Sequence, residues 1–118
     1  MVVGGVVGER RTFVRVNSEF PVQLRPMHHD NPIQIHNSMS QDLSEGGMQI
    51  SSFYFYPVHA KLMLELYLAI DSEPIITVGK VVWVEQVPYQ DRYRVGIEFS
   101  GIEDENKTSL RHIIDENI

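Results

Sequence analysis

Apolar and polar residues alternate along most of the chain after residue 19, which is typical of strands with one buried face. The clearest run covers residues 61–70, where every second residue is leucine or isoleucine. The pattern predicts six strands: residues 20–24, 33–41, a strand led by Met48 and Ile50, and residues 61–70, 74–86 and 91–99. Because barrel closure removes the exposed edges of a sheet, these strands and their short connections indicate an antiparallel β-barrel.

The end of the chain has a different period. Ser100 and Glu103 have the spacing of a capping box, and Leu110, Ile113 and Ile114 recur at helical spacing. The predicted fold class is therefore mainly β, a six-stranded antiparallel β-barrel with a C-terminal α-helix.

The length of 118 residues is that of one small domain. We predict a flexible N-terminal arm over residues 1–17 and a single barrel domain over residues 18–118. The apolar opening of the chain is too short and too rich in glycine for a signal sequence, and no run approaches the ~20 apolar residues of a membrane-spanning helix. A soluble protein without direct membrane insertion is expected, and the absence of cysteine is compatible with a reducing cytosol.

The charge balance is acidic, with 10 Lys+Arg against 16 Asp+Glu, a net charge of −6. Binding to duplex DNA or anionic lipid depends on summed positive charge, so nucleic acid is not an expected partner. The lack of cysteine also excludes disulfides, thiolate nucleophiles and cysteine-based zinc sites.

Three of the ten basic residues lie within six positions, at Arg10, Arg11 and Arg15. Arginine presents a planar fork of donors that suits phosphate oxygens and the edge of guanine. A solvated arm that improves solubility explains the same cluster, and the residues alone leave both interpretations open.

A second polar motif lies between two predicted strands, in the turn from Asp42 to Gly47. The side chains of Asp42 and Ser44 suit a tight turn that bonds its own backbone, and the glycines suit unusual backbone angles. The same residues offer a carboxylate and a hydroxyl to a ligand, with close access to the backbone. We therefore treat Asp42, Ser44 and Gly47 as candidate binding residues.

The two motifs together resemble the signature of the PilZ domain family, the bacterial receptors for cyclic di-GMP. That signature is RxxxR, often RRxxxR, followed by [D/N]xSxxG, and this chain has RRTFVR at 10–15 and DLSEGG at 42–47. The resemblance extends through residues 20–24, 79–84 and 94–99 and covers nearly the whole chain from Glu9 onward. It implies that the predicted barrel is PilZ-like, of the split-barrel type.

The resemblance implies a cytoplasmic bacterial receptor that binds cyclic di-GMP as its ligand and has no cofactor. Arg11 and Arg15 would hold phosphates and guanine faces, and Asp42 and Ser44 would bind guanine while Gly47 keeps the approach clear. Arg10 implies an intercalated dimer of the ligand. The ligand would clamp the arm onto the barrel and change a surface that a downstream protein reads, in control of motility, exopolysaccharide or virulence.

Trp83 is the only tryptophan, and strand alternation predicts that it shares a face with Val81 and Glu85. Partial packing in the core is one interpretation, and stacking on a guanine of the ligand is the other. We include Trp83 among the candidate ligand-binding residues.

Other classes of function have less support. A PilZ-like interaction module that binds no nucleotide is the main alternative, and an oligonucleotide-binding barrel is disfavoured by the charge. No enzyme motif is present, although catalysis by Ser44 with a histidine is a further alternative, and no metal site is expected. The residues weighed for a metal were His28, His29, Asp30, His36 and His59.

Overall fold

The computed structural model of the protein describes residues 16–17, 19–27 and 35–117. Within these ranges the elements are β1 (Pro21–Pro26), β2 (His36–Leu43), β3 (Gly47–Ser52), β4 (Lys61–Leu66), β5 (Ile75–Gln86), β6 (Tyr93–Ser100) and the helix α1 (Asp104–Glu116). The strands form one closed barrel in which every neighbouring pair is antiparallel. The predicted fold class is confirmed.

The order of strands around the barrel is β1-β2-β3-β6-β5-β4, and β1 closes the ring because it pairs with both β2 and β4. Val22, for example, lies opposite Ser38 on one side and Leu66 on the other. A strand that is paired on both sides presents no row of unsatisfied backbone groups. Closure therefore protects the backbone of all six strands.

The interior of the barrel is filled by the apolar half of the alternating pattern. In β4, Leu62, Leu64 and Leu66 are buried while the residues between them face outward. Ser40 of β2 is a fully buried polar side chain, and its hydroxyl accepts a hydrogen bond from the backbone N–H of Phe20 at 2.9 Å. This hydrogen bond compensates for the burial of the hydroxyl group, because a buried polar group needs a hydrogen-bond partner.

Two β-bulges interrupt the alternation. One lies in β2 between Ser40 and Asp42, and the other lies in β5 between Val81 and Trp83. A bulge places two residues of one strand opposite one residue of its partner, which shifts the faces of the residues that follow. Each bulge therefore changes which of the side chains that follow it in its strand point outward.

Two predicted boundaries are wrong. The strand expected over residues 61–70 ends at Leu66, and Ile70 lies in a turn with its side chain fully exposed, at 101%. The turn expected over residues 42–47 is shorter, because the β2 bulge lets that strand continue through Leu43 and β3 begins at Gly47.

The predicted capping box is also wrong, because Ser100 is the last residue of β6. Gly101, at φ +70°, separates the strand from the helix, in a conformation that glycine adopts without steric cost. The N-cap residue of α1 is Glu103, which makes no side-chain capping bond. The expected apolar face is present, with Leu110 and Ile114 buried in the same core as the strands.

No helix within the described ranges is long and apolar enough to cross a membrane.

We predict that Leu64→Ala lowers the free energy of unfolding by about 2–5 kcal/mol, because it leaves a cavity among fully buried side chains. Ile70→Ala is the matched control and should change stability by less than about 0.5 kcal/mol, since Ile70 is exposed. Urea denaturation measures both. A comparable loss for the two variants would contradict the strand boundary at Leu66.

Candidate ligand-binding site

The bend between β2 and β3 is shaped by Ser44. Its Oγ accepts a hydrogen bond from the N–H of Gly46 at 3.2 Å and donates to the carbonyl of Gly47 at 3.3 Å. The N–H of Ser44 donates to that same carbonyl at 2.9 Å. The side chain is buried and the turn is bonded to itself, as the structural interpretation of the motif expects. Ser44 therefore fixes the conformation of the bend.

Asp42 stabilises the neighbouring bulge. Its Oδ1 accepts a hydrogen bond at 3.1 Å from the backbone N–H of Gln49, the residue opposite it on β3. The side chain is only partly buried. A carboxylate held in this way is positioned on the barrel before any ligand arrives.

Gly47 lies where the backbone of β6 leaves no room for a side chain on β3. A Cβ atom at this position would come within 2.2 Å of the carbonyl oxygen of Ile97. On the same strand pair, the N–H of Phe99 donates to the carbonyl of Gly46 at 2.9 Å. The glycine is thus required by the barrel itself, in addition to any access it gives to a ligand.

Val16, the residue that follows the arginine motif in sequence, is anchored beside this bend. Val16 and Leu43 exchange two backbone hydrogen bonds, each of 3.0 Å, and Val16 is 4% exposed. Val16 therefore extends the sheet next to the end of β2. Three predicted site residues, Arg10, Arg11 and Arg15, lie outside the described residues.

A row of outward-facing positions crosses the barrel from Asp42 to Trp83. Asp42 lies opposite Gln49, Gln49 lies opposite Gly96, and Gly96 lies opposite Trp83. Neighbouring strands are about 4.8 Å apart, so the row extends over three such steps. The structure thereby places two of the candidate residues on one outer surface.

Trp83 shares a face with Glu85, as predicted, but the prediction that Val81 lies on the same face is wrong. Val82 is the extra residue of the β5 bulge, so Trp83 points outward while Val81 points into the core. The indole is 41% exposed and lies against Gly96, where a Cβ would come within 2.1 Å of its Nε1. Trp83 therefore covers the backbone of β6 and leaves part of its ring accessible to solvent.

Sequence reasoning missed the contact between the bend and the helix. Arg111 of α1 donates from Nε and Nη2 to Oε1 of Glu45, both at 2.9 Å. The Glu45 carboxylate raises the pKa of the Arg111 guanidinium above its usual value, chiefly through this hydrogen bond. The two residues are 66 positions apart, so no local pattern could have paired them.

The histidines do not form a metal centre in the part of the chain that the structure describes, where no three potential ligands are grouped. His36 stacks on Tyr54 with ring centroids 3.7 Å apart, and His59 is exposed. His28, His29 and Asp30 fall outside the described residues.

Three features allow the protein to be classified: the closed barrel with its C-terminal helix, the bulged second strand, and the DLSEGG bend. The PilZ domain profile matches residues 9–116, and the chain belongs to the PilZ domain family. A comparison with curated proteins finds no match.

Solved structures share this fold. The chain is similar to the inhibitor of motility MotI/DgrA of Bacillus subtilis, with a TM-score of 0.76, 20% identity, and 92% of this chain and 51% of that chain covered. It is also similar to the PilZ domain of Escherichia coli YcgR with c-di-GMP, with a TM-score of 0.69, 15% identity, and 92% of both chains covered.

A third structure, MrkH of K. pneumonia, has a TM-score of 0.70, 19% identity, and 95% of this chain and 51% of that chain covered. The chain thus spans about half the length of MotI/DgrA and of MrkH.

We predict that Gly47→Ala lowers the free energy of unfolding by about 1–3 kcal/mol, because the new methyl group meets the backbone of β6. Gly79→Ala is the comparison, since its methyl group would meet side-chain atoms of Leu64 and Ile97, whereas that of Gly47→Ala would meet the backbone. Gly79→Ala should lower the free energy of unfolding by a smaller amount than Gly47→Ala. Urea denaturation measures the loss of stability in both variants. An equal or larger loss for Gly79→Ala would contradict the importance of the backbone contact.

Proposed function

We propose that this protein is a receptor for cyclic di-GMP that binds its ligand on the outer surface beside the β2–β3 bend. Membership of the PilZ domain family supports this function. So does the likeness to the YcgR PilZ domain, whose structure includes c-di-GMP. In this proposal the ligand is bound by Arg10, Arg11, Arg15, Asp42, Ser44, Gly47 and Trp83.

The observation that carries the proposal is the backbone pairing of Val16 with Leu43. Arg15 precedes Val16 in the chain, and Asp42 precedes Leu43. The pairing therefore tethers the arginine motif to the strand that holds the carboxylate, although 26 residues separate the two anchors in sequence.

Each group has a chemical role in the proposed site. The Asp42 carboxylate accepts hydrogen bonds from the N1–H and N2–H donors of a guanine, and Ser44 keeps the bend in the shape that presents it. Arg11 and Arg15 bind the phosphates and the other guanine edge. The accessible face of Trp83, in the same row as Asp42, provides a surface for stacking.

The strength of such a site is sufficient for a second messenger. Charge-assisted hydrogen bonds contribute roughly 1.5–3 kcal/mol each, and micromolar affinity corresponds to about 8 kcal/mol. Fixing each backbone residue of the arm costs about 1–2 kcal/mol. The free energy gained from the ligand contacts and the free energy lost in ordering the arm are thus of similar magnitude. The ligand concentration therefore decides whether the arm is clamped.

In this proposal the clamped arm changes the surface that a downstream protein recognises. Control of motility, exopolysaccharide or virulence is the proposed process, and the likeness to a Bacillus inhibitor of motility supports the first of these. In this proposal the protein acts in the bacterial cytoplasm as an adaptor without catalytic activity.

We expect calorimetric titration with cyclic di-GMP to show binding, and Arg11→Ala and Arg15→Ala each to abolish it without changing the urea midpoint. In this proposal the guanidinium groups supply the ligand contacts, and the sequence pattern places neither arginine in the predicted core. Arg25→Ala is the control, because Arg25 on β1 faces Glu65 of β4, 3.9 Å away. Absence of heat with the wild-type protein at high micromolar ligand would favour the alternative module that binds no nucleotide.

Arg10→Leu should lower the stoichiometry from two ligands per domain to one, because Arg10 is the group proposed to reach the second molecule of an intercalated dimer. The binding isotherm gives the number directly. An unchanged stoichiometry of two would refute the role of Arg10, and a wild-type stoichiometry of one would refute the bound dimer.

A further inference from the structure

The connection that follows β3 presents an unusual run of aromatic residues. Phe53, Tyr54 and Phe55 are 69%, 52% and 60% exposed, whereas Tyr56 is buried. We call residues 53–56 the aromatic loop. Large apolar side chains grouped on a surface mark interaction sites more often than isolated ones do. The candidate ligand site makes no use of this loop.

The aromatic loop is held in one conformation by polar contacts beneath it. The buried Ser52 hydroxyl accepts a hydrogen bond from the N–H of Tyr54 at 2.9 Å and donates to the carbonyl of the same residue at 3.0 Å. His36 stacks on Tyr54 and is hydrogen bonded through Nδ1 to the Tyr56 hydroxyl. The exposed rings are therefore preorganised, which reduces the entropy lost on binding.

The loop also displays a cation. The guanidinium of Arg92 lies over the ring of Phe53, 4.8 Å from its centroid, and Phe55 packs edge-on against Tyr93. The other arginines of the described ranges face carboxylates within 4 Å, in the pairs Arg25–Glu65, Arg94–Glu85 and Arg111–Glu45. Arg92 has no such pair with a described residue. Arg92 is exposed, so within the described part of the chain its charge is available to an anionic group on a partner.

The surface is separate from the candidate ligand site. Strand β3 begins at the DLSEGG bend and ends at the aromatic loop, and its six residues rise about 3.3 Å each. The bend and the aromatic loop are consequently about 20 Å apart, at opposite ends of β3, and Gln49, where the row to Trp83 crosses β3, is about 13 Å from the loop.

We propose that the aromatic loop and Arg92 form a docking site for a short segment of a partner protein that carries aliphatic side chains next to a carboxylate. Aromatic residues and arginine are the side chains enriched where binding energy concentrates. A stable dimer needs roughly 20–30 residues a side, far more than this patch provides, so a short segment fits better than a second copy. The net charge of −6 disfavours nucleic acid or an anionic membrane as the occupant.

The test is selection of random 15-residue peptides displayed on phage against the whole protein without cyclic di-GMP. Enriched peptides should combine Leu, Ile or Val with Asp or Glu. Their affinity should fall at least tenfold with Phe53→Ala and with Arg92→Glu, and Arg92→Glu should gain binding to peptides in which Lys replaces the acidic residues. Ile76→Ala removes a similarly exposed side chain at the start of β5 and should leave affinity unchanged.

Several results would overturn the proposal. These are failure to enrich any peptide, peptides that bind Phe53→Ala as well as wild type, and enriched peptides without acidic residues. A dimer in sedimentation equilibrium that Phe53→Ala dissociates would assign the surface to a second copy instead. Because no cyclic di-GMP is present, these outcomes are independent of the calorimetric test of ligand binding.

Discussion

Pairing of β1 with both β2 and β4 is the constraint on which the rest of the structure depends. Without it the sheet would have two free edges and the core leucines of β4 would lose one wall. With it, the backbone groups of the strands are used in the barrel wall, and the interior is filled with side chains. Recognition of a ligand or partner is consequently confined to the outer face, the two ends and the segments that cross them.

The same constraint explains what could be predicted from the sequence. Alternation places one face of each strand in the core, so period two predicts the six strands, and helical spacing predicts α1. Closure of the sheet then follows from the need to remove its free edges. Alternation puts Trp83 on the face of Val81 because nothing in the local sequence marks the bulge, and the shift of face becomes apparent only in the pairing with β6. The spacing of Ser100 from Glu103 fits a capping box, whereas pairing with β5 keeps Ser100 in a strand.

The candidate site was partly predictable for a related reason. Asp42, Ser44 and Gly47 are close in sequence, and the turn chemistry that revealed them is also what holds the bend together. By contrast, the contact of Glu45 with Arg111 and that of His36 with Tyr56 depend on distant segments meeting after closure. Residue type alone specifies neither contact.

A closed barrel also limits how binding at the bend could be transmitted. Strands paired on both sides do not shift easily, so a response must pass through segments outside the ring. Helix α1 is one such segment, because Arg111 reaches the Glu45 carboxylate in the middle of the motif. That contact offsets a negative charge beside the place proposed for an anionic dinucleotide. Phosphates bound there would attract the same guanidinium, so this ion pair is the contact of α1 that a ligand at the bend would meet directly, while Leu110 and Ile114 keep the helix on the core.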